Sequence, residues 1–195
     1  MRVFMISGSR NPQGRTAQCC DAIAKGLSRA GATSETVFLP TMKLERCRQC
    51  EADGWGICRR GICAIDDDFS PLVESLKACD LAVFANPVYF RDLTESMRSF
   101  LDRIRRLKFM QPDRPFVNKP AMGLCMAGGG GGFAPSAGYA LDTILQMCGF
   151  DVIDMWNVRR QNIDVKLPML EKVGEWLATK PVSGPMPPPH SYGVA

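Results

Sequence analysis

The chain has 195 residues, of which 46% are hydrophobic and 23% charged, and its formal net charge is +4. This length accommodates one substantial hydrophobic core, so we expect a single domain up to about residue 180. The net charge is only mildly positive, whereas nucleic-acid-binding proteins usually concentrate basic residues, so no nucleic-acid partner is expected.

No segment of the sequence indicates export or membrane insertion. The N-terminal stretch MRVFMISGSR lacks the long apolar segment and the small-residue cleavage site of a secretory signal. No stretch approaches the roughly 18 apolar residues of a membrane-spanning helix. We therefore expect a cytoplasmic protein without a membrane partner, in a compartment that keeps thiols reduced. The odd number of cysteines, nine, also argues against a complete set of disulfides.

Apolar runs and helical periodicities alternate along the chain. Buried strands are predicted at residues 2–7, 34–39, 80–87, 119–127 and 150–157. Helices are predicted at residues 16–30, 93–107, 136–148 and 167–178, and a further helix after Ser70, with Ser70 as its N-cap and Pro71 at its first position. The proline-rich residues 181–195 predict an extended arm or a disordered tail.

Apolar strands that alternate with helices in this way predict an α/β fold, in which a parallel sheet is covered on both faces. A doubly wound sheet with strand order 2-1-3-4-5 fits the pattern best. Residues 43–68 form a cysteine-rich insertion after the second strand. Because ligands of such sheets bind beyond the carboxyl ends of the strands, the relevant loops are residues 8–16, 86–92 and 127–135.

The first of these loops, SGSRNPQGRT, connects the first strand to the first helix. Small residues, hydroxyl groups and cations at a helix N-terminus suit a monoester phosphate. The loop matches neither the Walker P-loop nor the GxGxxG fingerprint, both of which indicate a diphosphate ligand. The alternative interpretation is a polar connection in which Thr16 caps the helix.

The other two loops carry aromatic residues and glycines. NPVYFRDL follows the third strand, where Tyr89 and Phe90 offer flat apolar faces. AGGGGGF follows the fourth strand, where glycines let the main chain approach a planar ligand closely. Taken separately, an aromatic pair is more typical of a core and a glycine run of a flexible loop. Together, at the ends of these strands, they predict a slot for a tricyclic ring beside a phosphate pocket.

These three segments resemble the NADPH-dependent FMN reductase family of flavodoxin-like proteins, and NPVYF is the most specific match. The resemblance extends from residue 1 to about residue 178 and implies a flavodoxin-like fold with noncovalently bound FMN. Where the family commonly has proline and asparagine in the first loop, this chain has Arg10 and Arg15. By position, the resemblance implies FMN contacts at Ser7, Ser9, Arg10, Gly14, Arg15, Thr16, Asn86, Pro87, Val88, Tyr89, Phe90, Gly128, Gly129, Gly130 and Gly131.

A cysteine cluster with the spacing C-x2-C-x7-C-x4-C is followed by DDDF and is similar to the iron-sulfur flavoprotein branch of that family. The resemblance implies a [4Fe-4S] cluster, whose second ligand gap is longer here than the branch typically has. The same four thiolates can also complete the tetrahedral coordination of a zinc ion. A third alternative is that no metal binds, because relatives of this fold keep partial cysteine sets without a cluster. The candidate ligands are Cys47, Cys50, Cys58 and Cys63.

Four arginines surround the cysteine cluster and favour a metal, because cations offset the negative charge of thiolates. These are Arg46, Arg48, Arg59 and Arg60. The remaining cysteines lie in apolar segments and are predicted to be small core residues. They are Cys19, Cys20, Cys79, Cys125 and Cys148.

The predicted third helix carries a row of cations. They either dock an acidic ferredoxin or a nicotinamide nucleotide phosphate, or form a solvated face, and the solvated face is the favoured interpretation. The residues are Arg98, Arg103, Arg105, Arg106 and Lys108.

The only histidine, His190, lies in the proline-rich tail, so histidine-based catalysis is not expected in the main domain. The resemblance implies an FMN-dependent oxidoreductase that transfers electrons between NAD(P)H or ferredoxin and a flavin, quinone or protein acceptor. One alternative is a flavodoxin-like electron carrier without a small substrate of its own, which the positive net charge disfavours. Another is a zinc-stapled interaction protein without flavin. The resemblance also implies a homodimer or homotetramer.

Overall fold

The computed structural model describes residues 1–50, 57–108 and 116–181. Across these residues a five-stranded parallel sheet has the order β2-β1-β3-β4-β5, which confirms the predicted flavodoxin-like topology. The strands are β1 (Arg2–Ser7), β2 (Thr33–Phe38), β3 (Leu81–Pro87), β4 (Pro120–Ala127) and β5 (Asp151–Arg159). The helices are α1 (Arg15–Arg29), α2 (Phe69–Ala78), α3 (Glu95–Lys108), α4 (Ala134–Met147) and α5 (Ile163–Leu177).

Several predictions fall on parts of the chain outside this description. Residues 51–56 of the cysteine-rich insertion and residues 182–195 of the tail, including His190, lie outside the described residues. The side chains of Arg59 and Lys108 also lie outside them. Across the described ranges, no helix combines the length and the apolar character needed to cross a membrane.

Both faces of the sheet are covered, which explains the apolar strand sequences. Every residue of β3 is buried, as expected for a central parallel strand between two helical layers. Helices α1 and α5 cover one face, and α2, α3 and α4 cover the other. Aromatic pairs pack on the side of the sheet covered by α2, α3 and α4, including Phe84 and Phe150 with ring centroids 5.3 Å apart.

Helices α1 and α5 meet at two glycines. A Cβ atom on Gly26 would overlap the backbone carbonyl of Glu171, and one on Gly174 would overlap the backbone carbonyl of Ile23. The Glu171 carboxylate also accepts a hydrogen bond from Arg29, with Nη1 and Oε2 2.6 Å apart. The absence of side chains at the two glycines is therefore what allows the backbones of the two helices to pack directly together.

Most predicted boundaries agree with the structure within two residues, but two helix starts were wrong. Helix α2 begins at Phe69 with Asp68 as its N-cap, so Ser70 is its second residue and not the N-cap, and Pro71 is its third residue and not the first. Asp67 Oδ1 accepts the N–H of Phe69 at 3.1 Å. Helix α5 begins at Ile163, four residues before the predicted start, and contains Pro168. A proline there removes one backbone hydrogen bond from an early turn, which the packing of α5 on α1 tolerates.

The five cysteines outside the insertion are buried, which confirms the prediction that they are core residues. Burial raises the pKa of Cys19 and of Cys125 to about 12. These thiols are therefore neutral at physiological pH and act as small apolar side chains.

Candidate functional site

We call the loop that follows β1 the first loop and the loop that follows β3 the third loop. The two are joined where β1 and β3 end side by side. The N–H of Gly8 donates to the carbonyl of Ala85 at 2.9 Å. A Cβ atom on Gly8 would lie 2.5 Å from Thr94 Oγ1 and 3.1 Å from Asn86 Oδ1. Because these contacts leave no space for a side chain, Gly8 lets the first loop lie directly against the third.

Asn86 and Thr94 form the hydrogen-bonded centre of the third loop. The buried Asn86 Oδ1 accepts the backbone N–H of Thr94 at 3.0 Å and its hydroxyl at 3.2 Å. Thr94 Oγ1 in turn accepts the N–H of Met97 at 3.3 Å and so caps the N-terminus of α3. Ser96 Oγ donates to the carbonyl of Gly8 at 3.4 Å. Our sequence analysis missed Thr94 and Ser96, although a threonine directly before an amphipathic helix is a helix-start signal.

The first loop presents the N-terminus of α1. Gly14 is the N-cap, no side chain in the described residues caps this helix, and its first turn contains no acidic residue. Thr16 is buried in the first turn, so the interpretation of Thr16 as the N-cap was wrong. Arg10 and Arg15 are exposed on either side of the loop. The positive end of the helix dipole and these two cations therefore favour an anion at this position.

Two buried serines fix the start of the first loop. The N–H of Ser9 donates to Ser7 Oγ at 3.2 Å, and the N–H of Asn11 donates to Ser9 Oγ at 3.2 Å. The carbonyl of Asn11 accepts the N–H of Gly14 at 3.0 Å. Asn11, which our sequence analysis did not single out, thus closes the turn that leads into α1.

The aromatic residues of the third loop lie on an exposed tight turn. Tyr89 and Asp92 exchange backbone hydrogen bonds of 3.2 and 3.0 Å, and the two residues between them have φ angles of 49° (Phe90) and 72° (Arg91). Positive φ at both central positions defines a type I′ turn, which glycine and asparagine normally favour. Phe90 is fully exposed and Tyr89 half-exposed, so the alternative that this pair belongs to the core was wrong. The turn holds two aromatic rings in solvent at the edge of the sheet.

The third loop is also in contact with the glycine loop that follows β4. The N–H of Val88 donates to the carbonyl of Met126 at 2.9 Å. The guanidinium of Arg91 lies 4.1 Å from the ring centroid of Phe133, a cation–π distance. Ser136 Oγ donates to the carbonyl of Arg91 at 3.5 Å. These contacts and those of Gly8 connect all three predicted loops into one continuous surface.

The glycine loop leaves its backbone open on one side. A Cβ atom on Gly128, Gly129 or Gly130 would meet nothing within 4 Å. Gly131 differs, because a side chain there would overlap Gln161. Gly129 and Gly131 both have positive φ angles, of 46° and 73°, which favour glycine. The Nε2 of Gln161 donates to the carbonyl of Gly130 at 3.0 Å and holds the loop from behind. The exposed backbone therefore suits a flat ligand that lies against it.

The cysteine loop lies beside α3. Cys47, Cys58 and Cys63 are partly buried and Cys50 is exposed. Across residues 1–50, 57–108 and 116–181, no three cysteine, histidine or acidic side chains are placed to hold a metal ion. Burial raises the pKa of Cys58, as does the nearby Cys63, while Arg106 opposes the shift. The four cysteines are thus neighbours, but this conformation does not assemble the predicted metal site.

Arg103 anchors the cysteine loop to α3. Its guanidinium forms two hydrogen bonds with the Asp67 carboxylate at 2.7 and 2.8 Å and donates to the Glu45 carbonyl at 3.0 Å and to Cys63 Sγ at 3.1 Å. It also lies 3.9 Å from the ring centroid of Phe69. One buried side chain therefore holds both ends of the insertion.

The burial of this arginine corrects the prediction of a solvated basic face on α3. Arg103 is 2% exposed and Arg106 is 7% exposed, so two of the predicted cations belong to the interior. Burial raises the pKa of Asp67, but hydrogen bonds from Arg103 and from two backbone N–H groups outweigh that effect and lower it below its usual value. The carboxylate therefore stays ionised and balances the buried guanidinium.

Replacing Thr94 by valine tests the connection between the loops. The change keeps the shape of the side chain but removes the helix cap and the bond to Asn86, so we expect a loss of about 1–2 kcal/mol of unfolding free energy. Urea denaturation followed by circular dichroism measures it. Thr94→Ser keeps the hydroxyl and should stay close to wild type. Equal stability of the two variants would show that the hydroxyl does not join the loops.

Curated proteins of known name are similar in sequence to part of this chain. An "Iron-sulfur flavoprotein" of Archaeoglobus fulgidus is 30% identical over 105 residues, which cover 53% of this chain and 46% of that protein. An "Iron-sulfur flavoprotein" of Methanosarcina thermophila is 28% identical over 113 residues, which cover 56% of each protein. The matched segments thus span about half the length of these curated relatives.

Solved structures show the same fold at low sequence identity. A structure titled "flavone reductase" superposes with a TM-score of 0.69 at 18% identity and covers 92% of this chain and 62% of that chain. The sequence model of the family described as NADPH-dependent FMN reductase matches residues 1–162, most of the chain. The chain therefore belongs to the NADPH-dependent FMN reductase family.

Proposed function

We propose that this protein is an FMN-dependent oxidoreductase that takes electrons from a nicotinamide nucleotide. One observation carries the proposal: the three loops at the ends of β1, β3 and β4 are joined into one surface. This surface combines a helix N-terminus that no described side chain caps, exposed aromatic rings and an open glycine backbone. A flat ring with a phosphate arm is the ligand chemistry that uses all three features. Family membership supports the same cofactor.

The first loop fits the phosphate of FMN. Backbone N–H groups at the start of α1 point along the helix dipole toward the anion, and the Thr16 hydroxyl lies in that first turn. Arg10 and Arg15 flank the loop and supply positive charge. Ser7 and Ser9 already bond to the backbone of the loop, so we assign them to its shape as much as to the ligand.

The other two loops fit the ring system. Pro87 ends β3 and Val88 follows it, Tyr89 and Phe90 present aromatic faces, and Gly128–Gly131 present backbone. The side chain of Asn86 is bonded to Thr94 and Pro87, so its proposed part is to hold the loop in place. When bound, FMN supplies the redox chemistry, and the chain contributes stacking, orientation and backbone donors.

The electron donor and acceptor are the finer part of the proposal. NAD(P)H is the proposed donor on the strength of the family, with ferredoxin as the alternative. The titles of the structural neighbours name different acceptors, among them "NAD(P)H:quinone oxidoreductase from Methanothermobacter marburgensis" and "NADH:FMN oxidoreductase (EMOB) - apo form", so a quinone, a free flavin and a protein all stay proposed acceptors. A flavodoxin-like carrier is the competing function, and steady-state NADPH oxidation with a soluble quinone separates the two. Turnover supports the reductase, and its absence in FMN-loaded protein supports the carrier.

A [4Fe-4S] cluster at the four cysteines is a further part of this proposal, supported by the names of the curated relatives and by the buried arginines beside the loop. In the described residues these thiols are not placed to hold a metal ion together, so no reaction step is assigned to a metal. Iron, zinc and acid-labile sulfide analysis of anaerobically purified protein distinguishes a cluster from zinc and from free thiols.

Titration of the apo-protein with FMN tests the phosphate assignment without any turnover. Thr16→Val keeps the shape of the side chain and removes its hydroxyl, so we expect FMN to bind about tenfold to a hundredfold more weakly, the effect of losing one hydrogen bond to a charged group. Quenching of flavin fluorescence measures the dissociation constant.

Thr143→Val is the matched control. The Thr143 hydroxyl donates to the Tyr139 carbonyl within α4, at 2.9 Å, and has no part in the proposed site. Its FMN affinity should equal that of wild type. If Thr16→Val binds FMN as tightly as Thr143→Val, the phosphate does not contact Thr16. Failure of the wild-type apo-protein to bind FMN at all would overturn the proposed function itself.

A further inference from the structure

An apolar groove lies between the edge strand β5 and helix α5, separate from the three loops. Its volume is about 430 Å³. Two of its side chains, Met169 and Trp176, are 43% and 41% exposed, so large apolar groups face solvent there. The lining residues are Asp154, Trp156, Met169, Lys172, Val173 and Trp176. These exposed apolar side chains are available for contact with another segment or molecule.

The charged groups at the rim of the groove already have partners. Asp154 accepts hydrogen bonds from Trp156 Nε1 at 2.5 Å and from the N–H of Met155 at 2.8 Å. Lys172 Nζ lies 2.8 Å from the Glu175 carboxylate. An occupant therefore needs no charge of its own and is best matched by an uncharged, apolar segment.

The sequence that follows α5 has this chemistry. Helix α5 ends at Leu177, one residue after Trp176, and residues 182–195 follow it in the chain after the described residue 181. Their sequence, VSGPMPPPHSYGVA, contains four prolines and no aspartate, glutamate, lysine or arginine. Proline-rich segments bind grooves lined by aromatic side chains, because they lose little conformational entropy on binding.

The length of this segment allows it to reach the groove from its own end of α5. The groove extends along α5 from Met169 to Trp176, about 10 Å at the helical rise per residue. Fourteen residues in an extended proline-type conformation reach about 43 Å. The segment is therefore long enough to turn back at the end of α5 and run along the groove.

We propose that residues 182–195 occupy the groove between β5 and α5 of their own chain. The groove lies beside β5, the edge strand of the sheet, and is separate from the three loops of the flavin site.

Photo-crosslinking of the full chain tests this contact directly. With p-benzoylphenylalanine in place of Met186, irradiation should join the tail to peptides of β5 or α5 within one chain, as mapped by mass spectrometry. The same probe in place of Tyr139, an exposed residue of α4, is the control and should not reach the tail. Crosslinks between two chains would show that a second copy fills the groove, and crosslinks elsewhere or none at all would also overturn the proposal.

A second measurement reports on the tryptophans themselves. In protein labelled with 5-fluorotryptophan, replacing Pro187, Pro188 and Pro189 by serine should shift the ¹⁹F resonances of Trp156 and Trp176. Replacing Ser183 and Ser191 by alanine keeps the prolines and should leave both resonances in place. Unchanged resonances in the proline variant would overturn the proposal, as would resonances that move when the wild-type protein is diluted.

Discussion

Replacement of Arg103 by methionine is expected to lower the free energy of unfolding by about 3–5 kcal/mol, the usual cost of breaking a buried ion pair from one side. The variant leaves the Asp67 carboxylate, whose side chain is 0% exposed, without its charged partner. It also removes the hydrogen bonds to the Glu45 carbonyl and to Cys63 Sγ. Urea denaturation monitored by circular dichroism measures the loss.

Two further variants separate the ion pair from a general effect of losing an arginine. Arg105→Met changes an exposed residue on the same helix, whose Nε lies 4.0 Å from Asp102, and should cost less than about 1 kcal/mol. The double variant Arg103→Met with Asp67→Leu removes both charges and should recover much of the stability. If Arg103→Met proves as stable as Arg105→Met, Arg103 does not anchor the insertion.

Substitution of Gly26 by alanine is the second change with a large expected effect. The new Cβ atom would overlap the backbone carbonyl of Glu171, and backbone atoms cannot move away as a flexible side chain does. We expect a loss of about 3 kcal/mol or more, because α1 and α5 must separate. In a solvent-exposed helix, replacing glycine by alanine stabilises the helix by about 1 kcal/mol. A loss of stability in Gly26→Ala would therefore indicate that α5 packs directly against Gly26.

Gly132→Ala provides the matched control for this prediction. A Cβ atom on Gly132 would meet nothing within 4 Å. The free energy of unfolding of the Gly132→Ala variant should therefore stay within about 0.5 kcal/mol of wild type. Thermal and urea denaturation of both variants give the comparison. A Gly26→Ala protein as stable as wild type would mean that the two helices do not approach each other as closely as described.

Much of the fold could be predicted because each strand carries a strong local signal. The β3 sequence is apolar throughout since both of its faces are covered, and alternation with amphipathic helices implies the parallel order. Within the site, the rule that ligands bind beyond the carboxyl ends of strands was enough to group the three loops. Their mutual contacts, through Gly8 and Arg91, then followed from the packing of neighbouring strands.

The features that escaped prediction depend on residues far apart in sequence. Arg103 lies on a helix with many cations, and only the fold brings Asp67, 36 residues earlier, against it. The contact between Gly26 and Glu171 has no local signature, because a glycine in a helix does not indicate what approaches it. Helix α5 was predicted to begin too late because Leu167 and Pro168 resemble a helix start, whereas packing on α1 extends it to Ile163.

The turn at Phe90 and Arg91 has a consequence for the evolution of the protein. Asparagine and glycine adopt this backbone conformation at less energetic cost, so selection for stability alone would replace both residues. A fully exposed phenylalanine in this conformation is therefore a position where selection for thermostability would act against the proposed contact with a planar ring.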